Sequence, residues 1–172
     1  MASEFENFDN VFEDVFKQKS DEINEQLTRK LTISMVGDVN CGKSSTINRL
    51  MEEDIVNVGA KPGETKEIRE IIYRENIIFV DTPGLDDVVK TNSDITLKYY
   101  KNSDVILFFL NAAGTVLSES ELKNLKEIEK VNQDIIIVLN KIDAADEIPE
   151  LIKYIQDHTD YNYPVAVTAK LD

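Results

Sequence analysis

The 172 residues are 42% hydrophobic and 30% charged, enough for one globular domain with a core, and no apolar run approaches the roughly 18 residues of a membrane span. The acidic start MASEFENFDN is no signal peptide, and the single cysteine, Cys41, permits no internal disulfide, so a cytoplasmic setting is expected. A formal net charge of −14 with no Lys/Arg cluster longer than two residues repels phosphate backbones and anionic lipid, so this segment is not expected to bind nucleic acid or membrane directly.

Residues 4–30 place Phe5, Phe8, Phe12, Val15, Phe16, Ile23 and Leu27 at spacings of three and four with one gap. That spacing predicts an amphipathic helix in an N-terminal extension, residues 1–30. Its polar face carries mainly Glu, Asp and Asn, which suits packing on protein rather than on a membrane surface. From Leu31 the rhythm changes. Apolar runs at 31–36 (LTISMV), 77–80 (IIFV), 105–110 (VILFFL), 135–139 (IIIVL) and 163–167 (YPVAV) predict strands buried on both faces of a mainly parallel sheet. Helical stretches at 43–51, 94–102, 118–131 and 147–158 separate most of them, and Ser118 with Glu121 has the spacing of a capping box. Residues 67–74 alternate and suit an edge strand, hairpinned to the next through Glu75-Asn76. The resulting class is α/β, a doubly wound domain over residues 31–172.

The strand at 31–36 runs into GDVNCGKS, residues 37–44, and then a helix. This is G-x-x-x-x-G-K-S in the setting that a phosphate loop requires. Gly37 and Gly42 let the chain curl so that successive N–H groups face one concavity. Asp38, Val39, Asn40, Cys41, Gly42, Lys43, Ser44 and Ser45 are therefore the candidate phosphate ligands, helped by the positive end of the helix. Lys43 reaches the β- and γ-phosphates and Ser44 ligates Mg²⁺. By average residue usage the four fixed positions match by accident in about one chain in a hundred of this size. The loop alone does not choose between ATP and GTP. Cys41, two residues from Lys43 at a helix start, has the setting of a thiol with a lowered pKa, though the expected role is that of a small loop residue.

Asp81-Thr82-Pro83-Gly84 ends the strand at 77–80. Asp81 is placed to hold the metal, usually through water, and Gly84 lets its N–H approach the γ-phosphate. Asn140-Lys141-Ile142-Asp143 ends the strand at 135–139. A carboxylate at Asp143 can accept from guanine N1–H and the N2 amino group together; adenine lacks that donor pair. Lys141 can lie along the base and Asn140 can brace neighbouring loops. Thr168-Ala169-Lys170 follows the last strand, where the Ala169 N–H could meet guanine O6. The expected base is guanine.

In order, GDVNCGKS, DTPG, NKID and TAK resemble the translation-factor-related P-loop GTPases, nearest their Era and TrmE branch, over about residues 31–172. The resemblance implies a molecular switch that binds GTP and GDP and hydrolyses GTP with Mg²⁺. Pro62-Gly63-Glu64-Thr65 resembles that branch's P-G-x-T, so Thr65 is implied to close over the γ-phosphate and Mg²⁺ from the 57–66 loop. Ras-like enzymes place a water-orienting glutamine after D-x-x-G, whereas Leu85 stands here, as in that branch. Asn40 matches the asparagine of its potassium-activated members and, with carbonyls of the 57–66 loop, is the candidate K⁺ ligand. Lys43, Thr65, Gly84 and Asn40 are thus the implied catalytic set. Ser93 and Asp94 match the TrmE catalytic acid too loosely to carry it, and Asp86 and Asp87 read as a solvated face. Slow turnover is expected, stimulated by K⁺, by a G-domain homodimer or by a partner.

The family pattern continues into a final helix that residues 31–172 do not contain, so the sequence reads as a fragment of a longer protein, or as one whose helix at 4–30 takes that helix's place. A helix ahead of such a domain also resembles bacterial dynamin-like proteins, although these usually place serine where Asn40 stands. A switch GTPase, a mechanochemical dynamin-like GTPase and a non-hydrolysing nucleotide-binding module all remain open here.

Overall fold

A computed structural model describes residues 2–55, 68–82 and 93–168, with the side chains of 2–13 and 93–96 outside that description. The chain divides into two units, Met1–Lys30 and Leu31–Asp172. The first is helix α1 (Ala2–Thr28). No glycine or proline interrupts it, and Thr28 closes its last turn by donating its hydroxyl to Asn24 O at 2.8 Å.

The second unit is an α/β sandwich. Its strands are β1 (Leu31–Gly37), β2 (Arg69–Arg74), β3 (Ile77–Asp81), β4 (Val105–Asn111), β5 (Ile135–Asn140) and β6 (Val165–Ala166), in spatial order β2-β3-β1-β4-β5-β6. Only β2 runs antiparallel to its neighbour, joined to β3 by a turn at residues 75–76. The helices are α2 (Lys43–Met51), α3 (Ser93–Asn102), α4 (Glu119–Glu129) and α5 (Ile148–His158).

Side chains alternate across the sheet, so neighbouring residues feed two different cores. Val36, Phe108 and Leu139 join Tyr100, Leu125 and Ile155 on the face covered by α3, α4 and α5. Met35, Phe109 and Val138 join Ile47 of α2 on the other. This double burial is why these strands read as unbroken apolar runs. The last strand departs from the expectation: β6 has two residues rather than five, and both are exposed. It pairs only with β5, and Pro164 has no N–H to extend the ladder.

Local signals set the helix limits. Ser118 Oγ accepts from Glu121 N at 3.2 Å, and Glu121 Oε2 accepts from Ser118 N at 2.8 Å, closing the capping box ahead of α4. Ser118→Ala is expected to cost about 1 kcal/mol, read as a lower urea midpoint at unchanged slope. The end of α3 is tied down by a residue with no sequence signature: Asn132 Nδ2 donates to Tyr100 O at 2.8 Å and Ser103 O at 2.7 Å, satisfying carbonyls a helix end leaves over.

Register then positions the site. Met35 stands opposite Asp81, Gly37 opposite Phe109, and Asn111 opposite Asn140. The carboxyl ends of β1, β3, β4 and β5 share one edge, and β1 lies where the strand order reverses, the usual crevice of an open α/β sheet.

Candidate functional site

The phosphate loop begins where β1 ends. A Cβ at Gly37 would meet Phe109 O at 2.5 Å, and one at Gly42 would overlap the Asn140 amide nitrogen while carrying φ of 99°. Both positions need glycine for close approach. Asn40 adopts φ of 64° and is exposed, a left-handed conformation asparagine tolerates better than most residues. Lys43 is buried, and its Nζ donates to Gly37 O at 2.8 Å and Asp38 O at 3.0 Å. The lysine thus fixes the loop's curl through two carbonyls, and its Nζ also reaches Cys41 Sγ at 3.7 Å.

The start of α2 is chemically unusual. Gly42 is its N-cap, no side chain caps it among the described residues, and its first turn contains no acidic residue. Most helices fill those positions with Ser, Thr, Asp or Glu. Left uncapped, the first-turn N–H groups are free to take an anion.

Ser44 Oγ donates to Asp81 Oδ2 at 3.1 Å, and Asp81 is fully buried at the end of β3. A hydroxyl and a carboxylate side by side form the hard-oxygen pair that Mg²⁺ prefers, so these residues fit the metal. The next residue is held in place: Thr82 Oγ1 donates to Met35 O at 2.7 Å, and Tyr100 OH reaches Thr82 Oγ1 at 3.5 Å. Burial pushes the Tyr100 hydroxyl up to about 12, which keeps it neutral and able to donate.

Across the crevice, Asn140 is buried and its Nδ2 donates to Cys41 O at 2.9 Å, while its Oδ1 accepts from Lys141 N at 2.8 Å. Lys141 takes φ of 62° and opens a single 3₁₀ turn, Ile142–Ala144, that carries Asp143. Thr168 Oγ1 donates to Asp143 Oδ1 at 2.6 Å. Gly42, Ser45, Asn140, Lys141, Asp143 and Thr168 line a pocket of about 260 Å³. The phosphate loop and the NKID loop therefore share one pocket.

The Cys41 environment corrects one expectation. Burial pushes its thiol up despite the lowering pull of Lys43, because the side chain is 1% exposed and desolvation of a thiolate outweighs one nearby ammonium. Glu121 is also held above the ordinary carboxylate range, by burial first, with the Asp38 charge adding to it; sequence gave no sign of that proximity. Thr65 and the 57–66 loop, Gly84, Leu85, Asp86, Asp87, Ala169 and Lys170 lie outside the described residues, as does the Asp94 side chain.

Among the described residues no helix is long and apolar enough to cross a membrane. Of solved structures, Era in complex with MgGDPNP and nucleotides 1506–1542 of 16S ribosomal RNA superposes with a TM-score of 0.66 at 25% identity, over 83% of this chain and 52% of that one. The tRNA modification GTPase MnmE of Thermotoga maritima is 36% identical over 133 residues, 72% of this chain and 29% of MnmE. GTPase Era of Caldanaerobacter subterraneus is 30% identical over 148 residues, 81% of this chain and 49% of Era. The chain thus spans half or less of the length of these curated relatives. The sequence pattern of the 50S ribosome-binding GTPases matches residues 32–141. Because that match runs unbroken from β1 into the NKID loop and takes in more than half of the chain, the protein belongs to the 50S ribosome-binding GTPase family.

Proposed function

We propose that residues 31–172 bind GTP and Mg²⁺ and hydrolyse GTP to GDP and phosphate as a molecular switch. The observation that carries the reading is the hydrogen bond from Asn140 Nδ2 to Cys41 O, which joins a phosphate-binding loop to a base-binding loop around one pocket. Main-chain N–H groups of residues 38–45 take the phosphates, and Lys43 exchanges its weak contact with Cys41 Sγ for the β- and γ-oxygens. Ser44, Asp81 and Thr65 would hold Mg²⁺, whose charge would offset the negative charge that develops on the transferred phosphoryl group. The Gly84 N–H meets the γ-phosphate. Asp143 accepts from guanine N1–H and N2, steadied by Thr168; Lys141 lies along the base, and the Ala169 N–H of the Thr168-Ala169-Lys170 motif is assigned to guanine O6.

In the reaction a water oxygen bonds to the γ-phosphorus as the bond to the β–γ bridging oxygen breaks, leaving GDP and phosphate. Leu85 cannot orient that water, so intrinsic turnover is slow. The exposed, left-handed Asn40 supports a role as K⁺ ligand beside the phosphates, where a fixed positive charge has its largest effect in the transition state. Single-turnover GTP hydrolysis is expected to run at least about tenfold faster in KCl than in NaCl. Equal rates would remove K⁺ from the scheme, and no phosphate release in either salt would remove hydrolysis. Although Era carries RNA in its complex, the acidic balance of residues 1–172 gives phosphate backbones no attraction.

A further inference from the structure

We propose that Tyr100 is a positioning residue for the metal carboxylate, holding Asp81 beside Ser44 by way of Thr82; the inference rests on the Mg²⁺ site of the proposed function. Tyr100 is 1% exposed and sits in the core covered by α3, α4 and α5. Packing alone does not account for its hydroxyl. Phenylalanine would fill nearly the same volume, and a buried hydroxyl costs free energy unless it is hydrogen-bonded. The Tyr100 hydroxyl reaches Thr82 Oγ1 at 3.5 Å, and Thr82 is fully buried beside an equally buried Asp81.

Donors and acceptors fix the direction of the contact. Thr82 has one hydroxyl proton and gives it to Met35 O at 2.7 Å, so only its lone pairs remain for the tyrosine and Tyr100 is the donor. Burial pushes the Tyr100 hydroxyl up to about 12, so that proton stays in place. Donation into Thr82 polarises the bond that Thr82 makes in turn. Met35 stands opposite Asp81 in the register of β1 with β3. The threonine bond therefore carries the grip of β1 one residue past Asp81, so that the carboxylate is held from both sides along the chain. Tyr100 is itself secured from behind. Its carbonyl accepts from Asn132 Nδ2 at 2.8 Å, and Ser103, just past the end of α3, pairs its hydroxyl with that of Ser34 on β1 at 2.6 Å. At 3.5 Å the tyrosine contact is long for two hydroxyls, which sets its expected effect at the low end of what a metal ligand's supporting partner contributes.

The test titrates GDP into the 172-residue chain by calorimetry, once with Mg²⁺ and once in EDTA, and reads the ratio of the two affinities. Losing a supporting partner of a metal ligand costs about 10–100-fold in metal affinity. Tyr100→Phe is therefore expected to reduce the Mg²⁺-dependent ratio by about tenfold while leaving the affinity in EDTA unchanged. Thr82→Val removes the hydroxyl through which Tyr100 acts and should reduce the ratio at least as far, and the double variant should lose no more than Thr82→Val alone. A ratio that Tyr100→Phe leaves intact would overturn the role of Tyr100. So would equal losses with and without Mg²⁺, which would mark the hydroxyl as a support of the fold only, and so would additive losses in the double variant. A wild type that binds GDP equally well with and without Mg²⁺ would instead remove the metal assignment of Ser44 and Asp81, and the role of Tyr100 with it.

Discussion

Asp143→Asn is expected to move the base preference of the pocket from guanine to xanthine. The carboxylate of Asp143 offers two acceptors to the two donors on one edge of guanine, whereas an asparagine amide offers one acceptor and one donor, which suits the carbonyl that xanthine presents in place of the amino group. Thr168 should keep the side chain in position, since its hydroxyl donates to Oδ1 at 2.6 Å and an amide oxygen can take that bond. Losing hydrogen bonds to a charged group costs about 1.5–3 kcal/mol each. GDP affinity should therefore fall by about 10²–10⁴-fold while XDP affinity rises. Calorimetric titration with both nucleotides reads the change, and an unaltered preference would contradict the assignment of Asp143 to the base.

The second large effect is expected at Gly42. An alanine there would drive its methyl group into the Asn140 amide and hold φ at 99°. Left-handed strain costs about 1–3 kcal/mol, and displacing Asn140 forfeits its buried bond to Cys41 O, a further 1–3 kcal/mol or so. Gly42→Ala should lower the urea midpoint clearly and weaken GDP binding by more than about 100-fold. A cycle with Asn140→Ala separates the causes. If the collision dominates, the double variant regains part of the stability lost by Gly42→Ala. Strictly additive losses would mean that the two loops do not couple.

Much of this fold is legible in the sequence, because its signals are local or periodic. The runs at 31–36, 105–110 and 135–139 alternate between two cores, which leaves no polar face to blur them. The pairing of Ser118 with Glu121 marks the start of α4 by stereochemistry confined to one turn. The phosphate loop and the NKID loop are equally legible, since each holds its functional groups within eight residues. What the sequence does not show depends on contacts distant along the chain. The length of β6 depends on having a partner on one side only, which YPVAV does not record. The Cys41 thiol was expected to be acidic from its nearness to Lys43; burial beneath the loop reversed the sign. Asn132 and Tyr100 belong to no motif, yet they close the end of α3 and join it to Thr82, the residue after Asp81. Ser44 and Asp81 were each assigned to the metal from separate motifs, but their contact at 3.1 Å depends on β1 lying beside β3.

The bond between Asn140 and Cys41 O also bears on how a bound nucleotide leaves. On the proposed function, this bond latches the loop assigned to the base to the loop assigned to the phosphates, so moving either one alone costs about 1–3 kcal/mol. A factor that accelerates exchange would gain most by prying at that latch, releasing both ends of the nucleotide in one motion, rather than by loosening the metal alone. On the proposed function, the lifetime of bound GDP would then depend on the floor of the crevice as well as on the metal.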